Sequence, residues 1–240
     1  MCIRDRSDFL QQLENRLPPG TVLLRGLEAY TVMPVALREE TVSAWFWRRL
    51  FAWQEHHPNS FVQLVCAVLV QANNVIKVGI SSDRRYGPIL NYELSLKICL
   101  RLRDAGFQPG GGTEVVLMGY SGGAEMAMGV ADFLRRLSHA PVRIITICGV
   151  FSANQVLHDV CGITTLVGSA DPVAAFGRIA YPGRLPWMVL SSWNRALWQG
   201  LVQRRVIPRM THNGRRGPFA PGGRDAVVDQ VVAELLDGRG

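Results

Sequence analysis

No stretch of this 240-residue chain holds eighteen consecutive apolar residues, the length that a membrane-spanning helix requires. The longest apolar run, residues 61–70, contains Gln63 and reads as buried strand or core. The start lacks the basic-then-apolar pattern of a secretory signal. Cysteine is sparse: Cys2, Cys66, Cys99, Cys148 and Cys161 are odd in number and form no Cys-x-x-Cys pair. Most sit in apolar runs, which points to buried free thiols in a reducing compartment and against a disulfide framework. No His/Asp/Glu cluster has metal-ligand spacing, so neither a metal nor a cofactor is expected. Zinc-finger spacing and RNP-like aromatic patterning are also missing, which argues against a nucleic-acid partner. The expected placement is cytoplasmic, or peripheral to the cytoplasmic face of a membrane.

What is present describes one globular domain of moderate size, 48% hydrophobic, with 24 glycines and 13 prolines. The formal charge of +7 comes largely from arginine, gathered at Arg101/Arg103, at Arg135/Arg136 and in residues 204–216. Such a surface favours an anionic substrate or a phospholipid surface; a merely solvated, arginine-rich exterior is the plainer reading. Met1 to Arg6 resemble a translated sequencing adapter at the end of a metagenomic reading frame. They are set aside from fold reasoning, and the domain is taken as residues 7–240.

Two periodicities alternate along the rest. Short β-branched runs at residues 21–25, within 61–80, and at 114–119, 142–148, 163–168 and 206–210 read as buried parallel strands. Residues 41–56, 92–105, 124–137 and 224–236 have helical spacing, and Arg135 and Arg136 suit the end of the third. Alternation of this kind specifies an α/β fold, a mostly parallel sheet with helices on both faces.

The run Glu114-Val-Val-Leu-Met-Gly119 leads directly into Tyr120-Ser121-Gly122-Gly123 and a small-residue helix. This is Gly-x-Ser-x-Gly in the strand–turn–helix setting that makes it a nucleophile elbow. The serine must stand at the tip of a strained turn, and Gly119 and Gly123 carry no Cβ to collide there. The Gly122 N–H, opening the helix, is the expected oxyanion donor. Outside that setting the motif is weak, and a glycine-rich turn with an incidental serine is the alternative.

A triad on an α/β-hydrolase-type sheet runs Ser, then Asp or Glu, then His. Of His56, His57, His139, His158 and His212, only His212 follows both Ser121 and the acid candidate Asp171. Asp171 closes Gly168-Ser-Ala-Asp171-Pro172 just past a strand, the second after the elbow. Ser121 is therefore the expected nucleophile, Asp171 the acid and His212 the base. The alternatives are an Asp-Pro turn, a polar His-Asn-Gly turn, and Asp159 as a rival acid. Leu27, after the supposed strand 21–25, is the expected second oxyanion donor.

Arg25-Gly-Leu-Glu-Ala-Tyr30, Ser82-Asp-Arg-Arg-Tyr-Gly-Pro88, the Gly119–Gly123 elbow, Gly168-Ser-Ala-Asp-Pro172, Tyr181-Pro-Gly-Arg184, Ser192-Trp-Asn-Arg-Ala196 and His212 together resemble a poorly characterised bacterial α/β-hydrolase family of cyanobacteria and actinobacteria. The resemblance covers the chain from about Gly20 onward. It implies serine-hydrolase machinery, extra membrane-associated sequence before this region in many members, and a chain lacking the first strands of the fold. It names no substrate.

About forty residues separate Asp171 from His212, holding Phe176, Tyr181, Trp187, Trp193 and Trp198. These aromatics either wall an acyl pocket or pack a helix on the sheet. Tyr120, Arg85 and Trp193 are the candidate substrate contacts. The expected activity is hydrolysis of a small-molecule or lipid-like carboxylic ester or thioester. The alternative is a catalytically silent module that keeps the fold for binding, with membrane-surface association open in either case.

Overall fold

A computed structural model describes residues 3–27, 79, 81–83, 85–157 and 159–237. Four strands form one all-parallel sheet in the order β1-β2-β3-β4: Val115–Tyr120, Val142–Ile147, Gly162–Gly168 and Val202–Ile207. The protein has an α/β fold. β2 and β3 are buried along nearly their whole length, as continuous β-branched runs require. β4 is different. Its Gln203, Arg204 and Arg205 are exposed, so it is an edge strand whose charges discourage further pairing.

Helices cover both faces. On one side α2 (Gly87–Asp104) and α3 (Gly123–Ser138) pack with Leu117, Ile144 and Ile163 of the sheet. On the other, α1 (Ile3–Glu14) and α6 (Pro221–Asp237) cover Ile145, Ile147, Leu166 and Ile207. The odd and even residues of β2 thus feed opposite cores, as the pleat dictates. Between β3 and β4 lie α4 (Pro172–Ala180), a 3-10 turn (Pro182–Arg184) and α5 (Ser192–Trp198).

Two expectations change. Residues 21–25 form no strand; Leu23 packs beside the α1–α6 core, while Arg25 bonds Glu14 and the Leu10 carbonyl of α1. The last strand starts at Val202, four residues before the expected 206. Residues 3–6, set aside from sequence, continue the helix whose Phe9 and Leu13 are buried. The strands sought within 61–80, the helix at 41–56 with its tryptophans, and His56, His57 and His158 lie outside the described residues, apart from Gly79. No described helix is long and apolar enough to cross a membrane.

Candidate active site

β1 ends in Tyr120, and the chain then reverses at Ser121, whose φ is +52°. That left-handed value is costly for a residue with a side chain. Three backbone bonds enforce it. Ser121 N–H donates to Ile147 at 3.1 Å, and the Ser121 carbonyl accepts from Val150 at 3.0 Å and Ala124 at 3.1 Å. Gly119 is obligatory because a Cβ there would lie 2.5 Å from the Gly123 carbonyl and 2.7 Å from Ala124. Gly123 is not: a methyl would meet open space. The expected steric need therefore holds at one glycine of the two.

The acid and base are brought together by a separate stitch. A Cβ on Gly168 would sit 2.2 Å from the Met210 carbonyl oxygen, so only glycine lets the ends of β3 and β4 approach this closely. Ala170 N–H then donates to that carbonyl at 3.1 Å, Ser169 N–H to Ile207 at 3.0 Å, and Arg209 N–H to the Ser169 hydroxyl at 2.8 Å. Asp171 opens α4 as its N-cap, one carboxylate oxygen accepting from Val173 and Ala174 N–H at 2.9 Å each. That cap fixes the carboxylate while leaving it facing His212.

His212 Nδ1 lies 3.1 and 3.0 Å from the two Asp171 oxygens, and its Nε2 lies 3.0 Å from Ser121 Oγ. The Asp171 side chain is fully buried and His212 nearly so. With Nδ1–H donating to the carboxylate, Nε2 is left to accept the serine proton. Burial pushes the Asp171 carboxyl up, but hydrogen bonds from His212, the Ala174 N–H and Cys148 outweigh it and hold it below its ordinary value. Tyr120 braces the histidine segment: its hydroxyl donates to the His212 carbonyl at 2.8 Å and lies 2.7 Å from Asn213 Oδ1. Its ring also lies 5.3 Å from the imidazole and edge-on to Phe219. It supports the base.

Cys148 is a site residue that sequence reading classed only as a buried thiol. It directly follows β2, at φ +50°, and is fully buried. Its thiol is pushed up by burial and by the Asp171 carboxylate beside it, and so stays protonated. Cys148, Asp171 and His212 place one potential ligand atom each within 4.8 Å of one another. A metal there would deprotonate the thiol and displace the His212 Nδ1–H bond to Asp171, so the same three residues serve either a triad or a metal and not both at once.

The remaining candidates separate. Gly122 is the N-cap of α3, and its N–H has no acceptor among the described residues, which suits an oxyanion donor. Leu27 is exposed at the end of a segment that forms no strand, so the framework that made it a donor is absent. Arg85 is exposed, its backbone N–H donating to Asp83 in the turn before α2, and no described contact links it to Ser121. Trp193 is core: it packs 4.9 Å from Phe151, beneath the Arg184 guanidinium. Asp159 lies on the surface 3.9 Å from Arg135, away from any acid role. Beside His212 a cleft of about 520 Å³ opens, lined by Asn213, Arg215, Phe219 and Asp5 among others. Phe176, Trp187 and Trp198 are not on its walls; they face outward.

The chain matches no protein-family model and no curated protein.

Proposed function

We propose that this protein is a serine hydrolase that cleaves a carboxylic ester or thioester through an acyl-enzyme on Ser121. One observation carries the reading: an unbroken chain of hydrogen bonds, Ser121 Oγ to His212 Nε2 and Nδ1 to Asp171, ends at a serine held in a left-handed elbow. A fold-keeping binding module would have no use for a buried carboxylate aimed at an imidazole that in turn meets a strained serine.

In this reading His212 Nε2 takes the Oγ proton as Oγ attacks the carbonyl carbon. The developing oxyanion is met by the Gly122 N–H at the start of α3, which has no acceptor among the described residues and where the helix dipole adds to the attraction. The carbon–oxygen or carbon–sulfur bond then breaks, and the leaving group departs with the proton from His212. Asp171 stabilises the transient imidazolium without being protonated itself. Water, deprotonated by the same imidazole, releases the acid and restores Ser121. No cofactor enters any step.

Stopped-flow hydrolysis of p-nitrophenyl esters of increasing acyl length tests this. A nitrophenolate burst stoichiometric with protein, lost in Ser121→Ala together with roughly 10³-fold or more of the turnover, is the expected result. Turnover that survives the substitution would refute the acyl-enzyme.

A further inference from the structure

A soluble protein turns the polar face of a surface helix outward. Helix α4 does the reverse. Ala174 and Gly177 face the body of the protein, Gly177 pressed so closely on Val150 that a Cβ would stand 3.1 Å from it. Val173, Phe176 and Ile179, at i, i+3 and i+6, are exposed on the other side, Phe176 and Ile179 by 67% and 71%. The next loop continues the pattern with Trp187 at 70% and Leu190 at 83%, and α5 adds Trp198 at 65%. Nine of the nineteen exposed large apolar side chains among the described residues fall within residues 173–198. That concentration is well beyond the single apolar residues scattered over an ordinary surface.

The charge on this part of the chain is equally one-sided. From Pro172 to Arg224 there are nine arginines, no lysine and no acidic residue; the rest of the chain has seventeen basic against nineteen acidic residues. Only two of the nine arginines reach a carboxylate among the described residues: Arg205 pairs with Glu234, and Arg224 with Asp8 and Asp225. Arg178, Arg195, Arg204, Arg209, Arg215 and Arg216 have no acidic partner there. Arg178 and Arg204 lie near enough to Arg184 to help burial, the larger cause, depress its guanidinium to about 10.

We infer that the face formed by α4, the 185–191 loop and α5 docks on a lipid bilayer bearing anionic headgroups. Exposed tryptophans and aliphatic side chains suit the headgroup–acyl boundary, and the guanidiniums of Arg178 on α4 and Arg195 on α5, which reach no described carboxylate, suit the phosphates around it. Nucleic acid would answer the charge but leave Ile179 and Leu190 unexplained. A second copy of this chain would answer the apolar face but bring like-charged rims together. The docking segment lies in the connection between Asp171 and His212. The corollary that a bilayer-resident ester is the substrate therefore rests on the proposed hydrolase; the docking itself does not.

Flotation of the full chain with phosphatidylcholine vesicles, with and without roughly a quarter phosphatidylglycerol, tests the inference. Binding to the anionic vesicles is expected to be at least about tenfold tighter than to the neutral ones, and to weaken as salt rises. Trp187→Ala with Ile179→Ser and Leu190→Ser should lose it while far-UV circular dichroism is unchanged, and Arg178→Gln with Arg195→Gln should lose the preference for anionic lipid. Brominated acyl chains should quench wild-type tryptophan fluorescence. Ser121→Ala should float like wild type, which separates failure of docking from failure of the hydrolase reading. Absence of flotation, equal binding to both vesicles, capture by duplex DNA in place of vesicles, or a dimer that the apolar substitutions dissolve would each overturn the inference.

Discussion

Gly168→Ala is a one-methyl change outside the Ser121–His212–Asp171 chain that should nonetheless disable it. The added Cβ would lie 2.2 Å from the Met210 carbonyl oxygen, 2.8 Å from its carbon and 3.2 Å from its Cβ. Two of the three atoms are backbone, so no rotamer change relieves the clash. The ends of β3 and β4 must part by roughly 1 Å, an overpacking that costs about 1–3 kcal/mol. The same parting strains the Ala170-to-Met210 bond and carries His212 away from Asp171 and Ser121, whose spacings are 3.0–3.1 Å. A displacement of that size costs on the order of 10²-fold in a positioned reaction. Gly162→Ala in the same strand is the control, because a methyl there meets only Arg143 Cγ at 3.9 Å and the Leu201 carbonyl at 4.0 Å. Urea denaturation measures the stability, and the rate of fluorophosphonate labelling measures the site. Gly168→Ala should lose on both and Gly162→Ala on neither. A folded Gly168→Ala that labels at the wild-type rate would refute the idea that this contact sets the acid–base geometry.

Three further outcomes follow from the buried groups. Cys148→Ala removes a thiol that helps hold the Asp171 carboxyl below its ordinary value of 3.8, so the variant should be less stable at neutral pH. The stability from a depressed carboxyl is present above pH 3.8 and fades as pH falls through the lowered value. The gap to wild type should therefore narrow in acid, Cys148→Ser should restore most of it, and a pH-independent gap would contradict the assignment. Glu125 is fully buried, accepting from Ser152 N–H at 2.5 Å, Ser152 Oγ at 2.9 Å and Gln155 Nε2 at 2.5 Å, and burial raises it above 4.5. A raised carboxyl penalises the native state as pH climbs above 4.5, so wild-type stability relative to Glu125→Gln should fall across that window in urea titrations. Trp193→Ala should cost about 3–5 kcal/mol as a core truncation; a loss under 1 kcal/mol with altered ester selectivity would return Trp193 to the substrate wall.

The residues that meet at the site were legible because the topology orders them. Ser121 is marked by a strand, a reversal and a helix, and the Ser-then-Asp-then-His order leaves one histidine. What escaped the sequence has physical causes. Gln203, Arg204 and Arg205 make β4 read as polar because an edge strand need not be apolar on its open side. Thr21 to Arg25 has strand composition, yet Leu23 finds its core beside α1 without any ladder. Trp193 sits in a connection where aromatics suggest a ligand wall, and only its contacts with Phe151 and Arg184 reveal it as core. Cys148 looked like any buried thiol; its place at the end of β2, on the sheet edge that also carries Ser121 and Asp171, was the signal that could have found it.

The proposed chemistry depends on activation of Ser121 by His212. Incubation with a fluorophosphonate probe, followed by intact mass and peptide mapping, measures that directly on the wild type, Ser121→Ala, His212→Ala and Asp171→Asn. A single adduct on the peptide containing Ser121 is expected, absent in the first two variants and slowed by roughly 10³–10⁴-fold in the third. A folded wild type that takes no label, or one that labels equally fast without His212, would contradict it.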